Sequence, residues 1–205
     1  MIANFKDCSI KIRKTTILSS VNFTLNKQQC IYLKGTNGSG KTVFIETLLG
    51  FHNNVSGQYT TNIRNICYIP DVSFFTDEEV IKDVLKTYQV FYNQTNNSIL
   101  ESLNMLSLNL DLKTKVSTLS LGTKKKLELL PLFFDTYPVY ILDEIFQGLD
   151  SLSIAIIIKQ LQSHYVQGAS ILFTEHNQSI VNLIQDSIKS LEVYLCENQS
   201  LYKVQ

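Results

Sequence analysis

The sequence predicts an α/β fold: a mostly parallel sheet flanked by helices, with an N-terminal antiparallel β region and an inserted α-helical subdomain. Three observations carry that expectation. A Gly-rich turn, Gly35 to Thr42, stands between a strand-like run and a helix-like run; Val139 to Leu142 is a short apolar run ended by Asp143 and Glu144; and between Thr76 and Thr118 apolar residues recur at helical spacing.

Taken in order, Cys8 to Ile12, Val21 to Leu25 and Cys30 to Lys34 are short β-type runs, the last ending at the Gly-rich turn. Val43 to Leu49 follows as an apolar-rich helix, with Gly50 in a C-cap position. Thr76 and Glu79 form a capping-box pattern ahead of Val80, Val84, Leu85 and Tyr88. After a polar break at Asn93 to Ser98, a second helix places Ile99, Leu100, Leu103 and Leu106 on one face. The strand Val139 to Leu142, a helix through Ile154 to Leu161 and the strand Ser170 to Phe173 restore α/β character, and Leu191 to Cys196 with Ser200 to Val204 reads as a hairpin. The expected division is one domain, with residues 1–75 and 119–205 as the α/β core and 76–118 as the helical subdomain.

Composition narrows the function classes. A chain of 205 residues, 44% of them hydrophobic, is long enough to bury a substantial core. Its 18 basic and 18 acidic residues cancel, so no general attraction to nucleic acid is expected. Cys8, Cys30, Cys67 and Cys196 are scattered, which points to reduced cytoplasmic thiols and away from a zinc site or a disulfide framework. The N-terminus lacks a signal-peptide pattern and no apolar stretch reaches about eighteen residues, so neither secretion nor a membrane span is expected.

Gly35-Thr36-Asn37-Gly38-Ser39-Gly40-Lys41-Thr42 fits G-x-x-x-x-G-K-[ST] completely and sits at a strand-to-helix junction. Such glycines let backbone N–H groups fold around a phosphate in front of a helix N-terminus. Lys41 is then the residue to reach the β- and γ-phosphates, and Thr42 a Mg²⁺ ligand. Asp143 and Glu144, at the end of a central strand, fit a Mg²⁺ ligand acting through water and a general base that polarises the attacking water. These residues define a P-loop NTPase core.

Leu119-Ser120-Leu121-Gly122-Thr123, followed by three lysines, resembles the LSGGQ signature of ABC ATPases and stands at that family's usual distance before the acidic strand. Gly148-Leu149-Asp150 looks like the D-loop, His176 like the switch histidine, and Cys67 to Pro70 like the approach to the Q-loop. The resemblance implies Mg-dependent ATP hydrolysis in a head-to-tail homodimer. Ser120 and Gly122 would contact the γ-phosphate held on the partner's Lys41 loop, and His176 would make a γ-phosphate contact. It also implies a separate transmembrane permease that holds the chain at the inner face of the cell membrane. Phe74 and Phe75 are either contacts for that permease or core residues.

Departures from the pattern are specific. Asp71 takes the position of the Q-loop glutamine, beside Thr42 and Asp143 as a third candidate for Mg²⁺. Leu121 and Thr123 replace a glycine and the glutamine of the signature, a variant similar to antibiotic- and bacteriocin-resistance pumps and the haem-exporter ATPase. Ile145 stands for a common proline, and Ile12 for the aromatic residue that stacks on adenine, with Phe5 as the alternative. Pro131 should kink or shorten the helix after the signature, and Lys124 to Lys126 read as a solvated face. The expected function is the motor subunit of an exporter of a peptide, an antibiotic or another small hydrophobic compound. The alternatives are a soluble ABC ATPase without a permease and, against the signature and His176, a P-loop kinase.

Overall fold

The computed structural model describes residues 1–204. Its elements are β1 (Ala3–Ile12), β2 (Thr15–Leu25), β3 (Cys30–Lys34), α1 (Lys41–Leu48), β4 (Val55–Thr61), β5 (Ile66–Ile69), α2 (Ile81–Phe91), α3 (Asn96–Met105), α4 (Leu121–Glu128), β6 (Val139–Asp143), α5 (Ser151–Val166), β7 (Ser170–Thr174), α6 (Gln178–Ser187), β8 (Leu191–Glu197) and β9 (Ser200–Lys203). The strands form one sheet in the order β4-β1-β2-β9-β8-β3-β7-β6-β5. From β8 to β5 neighbours run parallel. β1 is antiparallel to β2 and β4, and β9 is antiparallel to β8 but parallel to β2. The C-terminal hairpin therefore joins the antiparallel N-terminal region to the parallel core.

Alternation along the central strands explains how helices cover both faces. In β3, Ile31 and Leu33 point with Ile141 and Leu172 toward α1, where Phe44, Ile45 and Leu48 are buried. Cys30 and Tyr32 belong to the other face with Tyr140, Leu142, Ile171 and Phe173, packed on Ile157 and Leu161 of α5. Because both faces are covered, these strands read as continuous apolar runs. Phe44, fully buried, meets Phe23 and Phe5 edge-on at centroid distances of 4.7 and 5.5 Å, which fixes α1 beneath the Gly-rich loop.

Several local expectations change. Glu79 Oε2 accepts from Thr76 N and Oγ1 at 2.6 and 3.1 Å, yet α2 starts at Ile81 with Val80 as its N-cap. Val80 is held extended by a bridge to Lys115, so the box closes a separate turn one step before the helix. Ile99, Leu103 and Leu106 are buried as expected, but Leu100 is exposed, about 100° around the helix from Ile99. Phe75 packs on Tyr88 at 5.8 Å and joins the core, while Phe74 is exposed. α4 ends at Glu128, and a 3₁₀ turn at Leu130–Phe133 carries Pro131 near its start, which is the shortening expected of that proline.

Candidate functional site

The Gly-rich loop enters α1 at Gly40, which has φ 107° and no side-chain cap. Only glycine adopts that angle without strain. The first N–H groups of α1 therefore have no intrahelical partner and open toward the loop. Lys41 is 5% exposed, and its Nζ donates to Gly35 O at 3.0 Å and to Thr36 O at 3.1 Å. Thr42 Oγ1 donates to Asp143 Oδ2 at 2.7 Å, joining the loop to the end of β6.

Thr174, at the end of β7, organises the acidic pair, a role that nothing in the sequence pattern signalled. Its hydroxyl donates to Asp143 Oδ1 at 2.5 Å and accepts from Glu144 N at 2.9 Å. Parallel pairing of Asp143 with Thr174 makes this possible, and such registers are not written in a linear motif. Glu144 has φ 50°, an unusual angle for a non-glycine residue, and its Oε1 lies 2.8 Å from His176 Nε2 and 3.9 Å from Lys41 Nζ. His176 is positioned by its own turn: Glu175 Oε1 accepts from His176 N and Asn177 N, and Asn177 caps α6.

Gly38, Gly40, Lys41 and Thr42 line a cleft of about 340 Å³ with Asp71 and Glu144. The Asp71 carboxyl titrates above its ordinary value, first because of burial and then because of the Glu144 charge, while Lys125 opposes the shift. A second cleft, of about 850 Å³, runs over Gly35, Thr36, Asn37 and Ser39 toward His176 and Asn198. Phe5 is not available for base stacking: it is 2% exposed and held between Phe44 and Tyr59. Behind the loop the Cys196 thiol donates to Ser39 O at 3.2 Å.

Ser120 and Gly122 line neither cleft, so one chain does not bring them to Lys41. Ser120 caps α4, with Oγ accepting from Thr123 N at 3.2 Å and lying 2.7 Å from Thr123 Oγ1. Gly122 faces Gly148 so closely that a Cβ there would lie 2.7 Å from Gly148 O. The following lysines are not a solvated face. Lys124 pairs with Asp77 at 3.0 Å and Lys126 with Asp150 at 2.8 Å, each on a segment beside α4, while Lys125 pairs with Glu128 one turn along α4 itself at 3.6 Å. Asp150 also caps α5, and its hydrogen bonds from Lys126 and Ser153 hold its carboxyl far below the usual range.

An uncapped helix N-terminus beside a lysine, with oxygen donors on the adjoining strand, suits a chain of phosphates and makes this a nucleotide-binding α/β fold of the P-loop type. The ABC transporter family matches residues 18–147, more than half of the chain, and the chain belongs to that family: it is an ATP-binding, ATP-hydrolysing subunit. It is 28% identical over 191 residues to an ABC transporter ATP-binding protein of Bacillus subtilis, covering 84% of this chain and 85% of that one. It is 32% identical over 173 residues to a cytochrome c biogenesis ATP-binding export protein of Reclinomonas americana, covering 78% of each. The ATP-binding subunit of an ABC transporter has the same fold, with a TM-score of 0.82 at 22% identity over all of this chain and 90% of that one. Among the described residues no helix is long and apolar enough to cross a membrane.

Proposed function

We propose that this chain is the motor subunit of a membrane exporter, in which two copies close head to tail over two ATP molecules and reopen after hydrolysis. The observation that carries the reading is the convergence of Lys41, Thr42, Asp143, Glu144 and His176 at the mouth of the uncapped α1 N-terminus. Loop N–H groups and Lys41 hold the β- and γ-phosphates, with Gly35, Thr36, Asn37, Gly38, Ser39 and Gly40 shaping the cradle. Glu144 accepts a proton from the attacking water, and His176 steadies Glu144 and contacts the γ-phosphate. Ser120 and Gly122 of the second copy complete the site, which accounts for their distance from it in one chain.

The Thr42 hydroxyl and the Asp143 carboxylate meet at 2.7 Å and are hard oxygen donors of the kind Mg²⁺ selects. Asp71 lines the same cleft and adds a third oxygen donor. Among the described residues no group of three or more His, Cys, Asp or Glu side chains forms a metal cage. Mg²⁺ in such a site would take its remaining ligands from substrate phosphates and water. Bound there, Mg²⁺ would neutralise the charge that develops on the phosphates.

Export, and a peptide, antibiotic or other small hydrophobic cargo, is favoured by the Leu121 signature variant and by the export protein among the relatives. A separate permease would dock beside Asp71, where Val72 and Phe74 are exposed. It would hold the chain at the inner face of the membrane. ATP turnover by the wild type beside Glu144→Gln, with gel filtration of both in Mg-ATP, tests this. Turnover in the wild type alone, with an ATP-stabilised dimer in the variant, is expected; a variant that hydrolyses at the wild-type rate removes Glu144 from the mechanism.

A further inference from the structure

We propose that Lys125 is a positioning residue for ATP hydrolysis, tying the Asp71 segment that lines the nucleotide cleft to the helix that Ser120 caps. The inference rests on the reading of that cleft as the nucleotide site. Lys125 is 6% exposed, its Nζ donates to Asp71 O at 3.3 Å, and its charge partner is Glu128, 3% exposed. All three residues border a small cavity of about 110 Å³ shared with Leu121 and Gln147. One ammonium group therefore touches the backbone of the cleft wall from inside the signature helix.

Stability does not account for the pair. Removing an ammonium and a carboxylate from water is costly, and apolar side chains of equal volume commonly serve a core as well or better. Glu128 ends α4, where a negative charge opposes the helix dipole, so this carboxylate is tolerable only beside a cation. Lys125 in turn donates a hydrogen bond to another segment, at Asp71 O. A buried polar contact of that kind fixes register between two pieces of chain that apolar packing would leave free to slide. Here the two pieces are the wall beside Glu144 and the helix offered to the second copy. When the second copy engages Ser120, Lys125 holds Asp71 in its working place.

The test compares the double variant Lys125→Met/Glu128→Gln with the wild type, measuring phosphate release and thermal unfolding. Neutralising both partners together avoids leaving one charge buried alone. The unfolding midpoint should stay within a few degrees of the wild type, while kcat falls about tenfold and KM for ATP moves less than about twofold, a split that marks lost transition-state positioning. Lys125→Arg, which keeps charge and donor, should retain at least about half of the wild-type rate, whereas Lys125→Gln should not. A double variant that turns over like the wild type overturns the proposal, and so does Lys125→Arg as slow as Lys125→Gln; the latter comparison also decides if the double variant does not fold. Lys41→Ala and Glu144→Gln run alongside: if both remain active, the reading of the cleft is what fails. If both are inactive while the Lys125 variants are unaffected, only the link fails.

Discussion

Two helix N-termini in this chain look alike in sequence, each with a serine and a glycine within two residues of its start, yet they are built differently. α1 begins at Gly40 with no side-chain cap, facing a cleft that Lys41, Thr42 and Glu144 also border. α4 begins at Ser120, whose hydroxyl already accepts from Thr123 N, and it lines neither nucleotide cleft. The first has donors waiting for an anion; the second is satisfied by its own serine. An uncapped terminus can bind phosphate within one chain, whereas a self-capped one must add a ligand to a finished hydrogen bond. That difference is what the proposed site shared between two copies would require, with each chain stable on its own.

The comparison breaks most sharply at the α1 end. Lys41→Ala removes the cation that bridges the two loop carbonyls and approaches Glu144, and ATP turnover should fall by about a hundredfold or more, the scale of a lost electrostatic contact in a transition state. Phosphate release at saturating ATP measures it. Retention of more than a tenth of the rate would mean that the uncapped N–H groups alone hold the phosphates.

At the α4 end, capping and ligand contact can be separated. Aspartate caps a helix about as well as serine, so Ser120→Asp should leave the unfolding midpoint nearly unchanged, while its charge beside an incoming γ-phosphate abolishes turnover. Ser120→Ala should do the reverse in part: it loses about 1 kcal/mol of stability with the cap but keeps a measurable rate, because the N–H groups remain. Equal rates for the two variants would show that Ser120 is a cap and nothing more.

The two ends also differed in how legible they were. β3 and β7 could be placed to within a residue of their ends, because buried parallel strands concentrate apolar residues between polar turns. The loop was legible because its chemistry demands glycine at fixed spacing; Gly38 and Gly40 both adopt positive φ. Around α4 the sequence of Lys124 to Lys126 misleads, since a run of like charges reveals neither the opposite charges brought from Asp77 and Asp150 nor the burial of Lys125. Thr174 was silent for a similar reason: its contacts with Asp143 and Glu144 depend on strand register across about thirty residues of chain. β4 carries no strand pattern in the sequence because as an edge strand it is mostly exposed and polar, with Gly57 at φ 104° where its pairing with β1 is irregular.

The smallest effect expected is confined to the signature side. His164, 4% exposed on α5, donates through Nε2 to Leu132 O at 2.8 Å, which anchors the 3₁₀ turn following α4. Its ring stacks on Tyr140 at 4.4 Å, and Nδ1 has no hydrogen-bond partner, so burial pushes its pKa below the ordinary histidine value. The unfolded chain therefore takes up this proton first as pH falls below about 6.5, and the stabilisation by neutral His164 is lost from there down toward its depressed native value. Above that window both states are neutral and it contributes no pH dependence. His164→Gln should be less stable than the wild type at pH 7.5, yet lose less of its urea midpoint on going to pH 5.5. If hydrogen exchange at pH 5.5 speeds up over Leu130 to Phe133 while α1 stays protected, the acid sensitivity belongs to the α4 side; equal pH slopes for the two proteins would assign it to other groups.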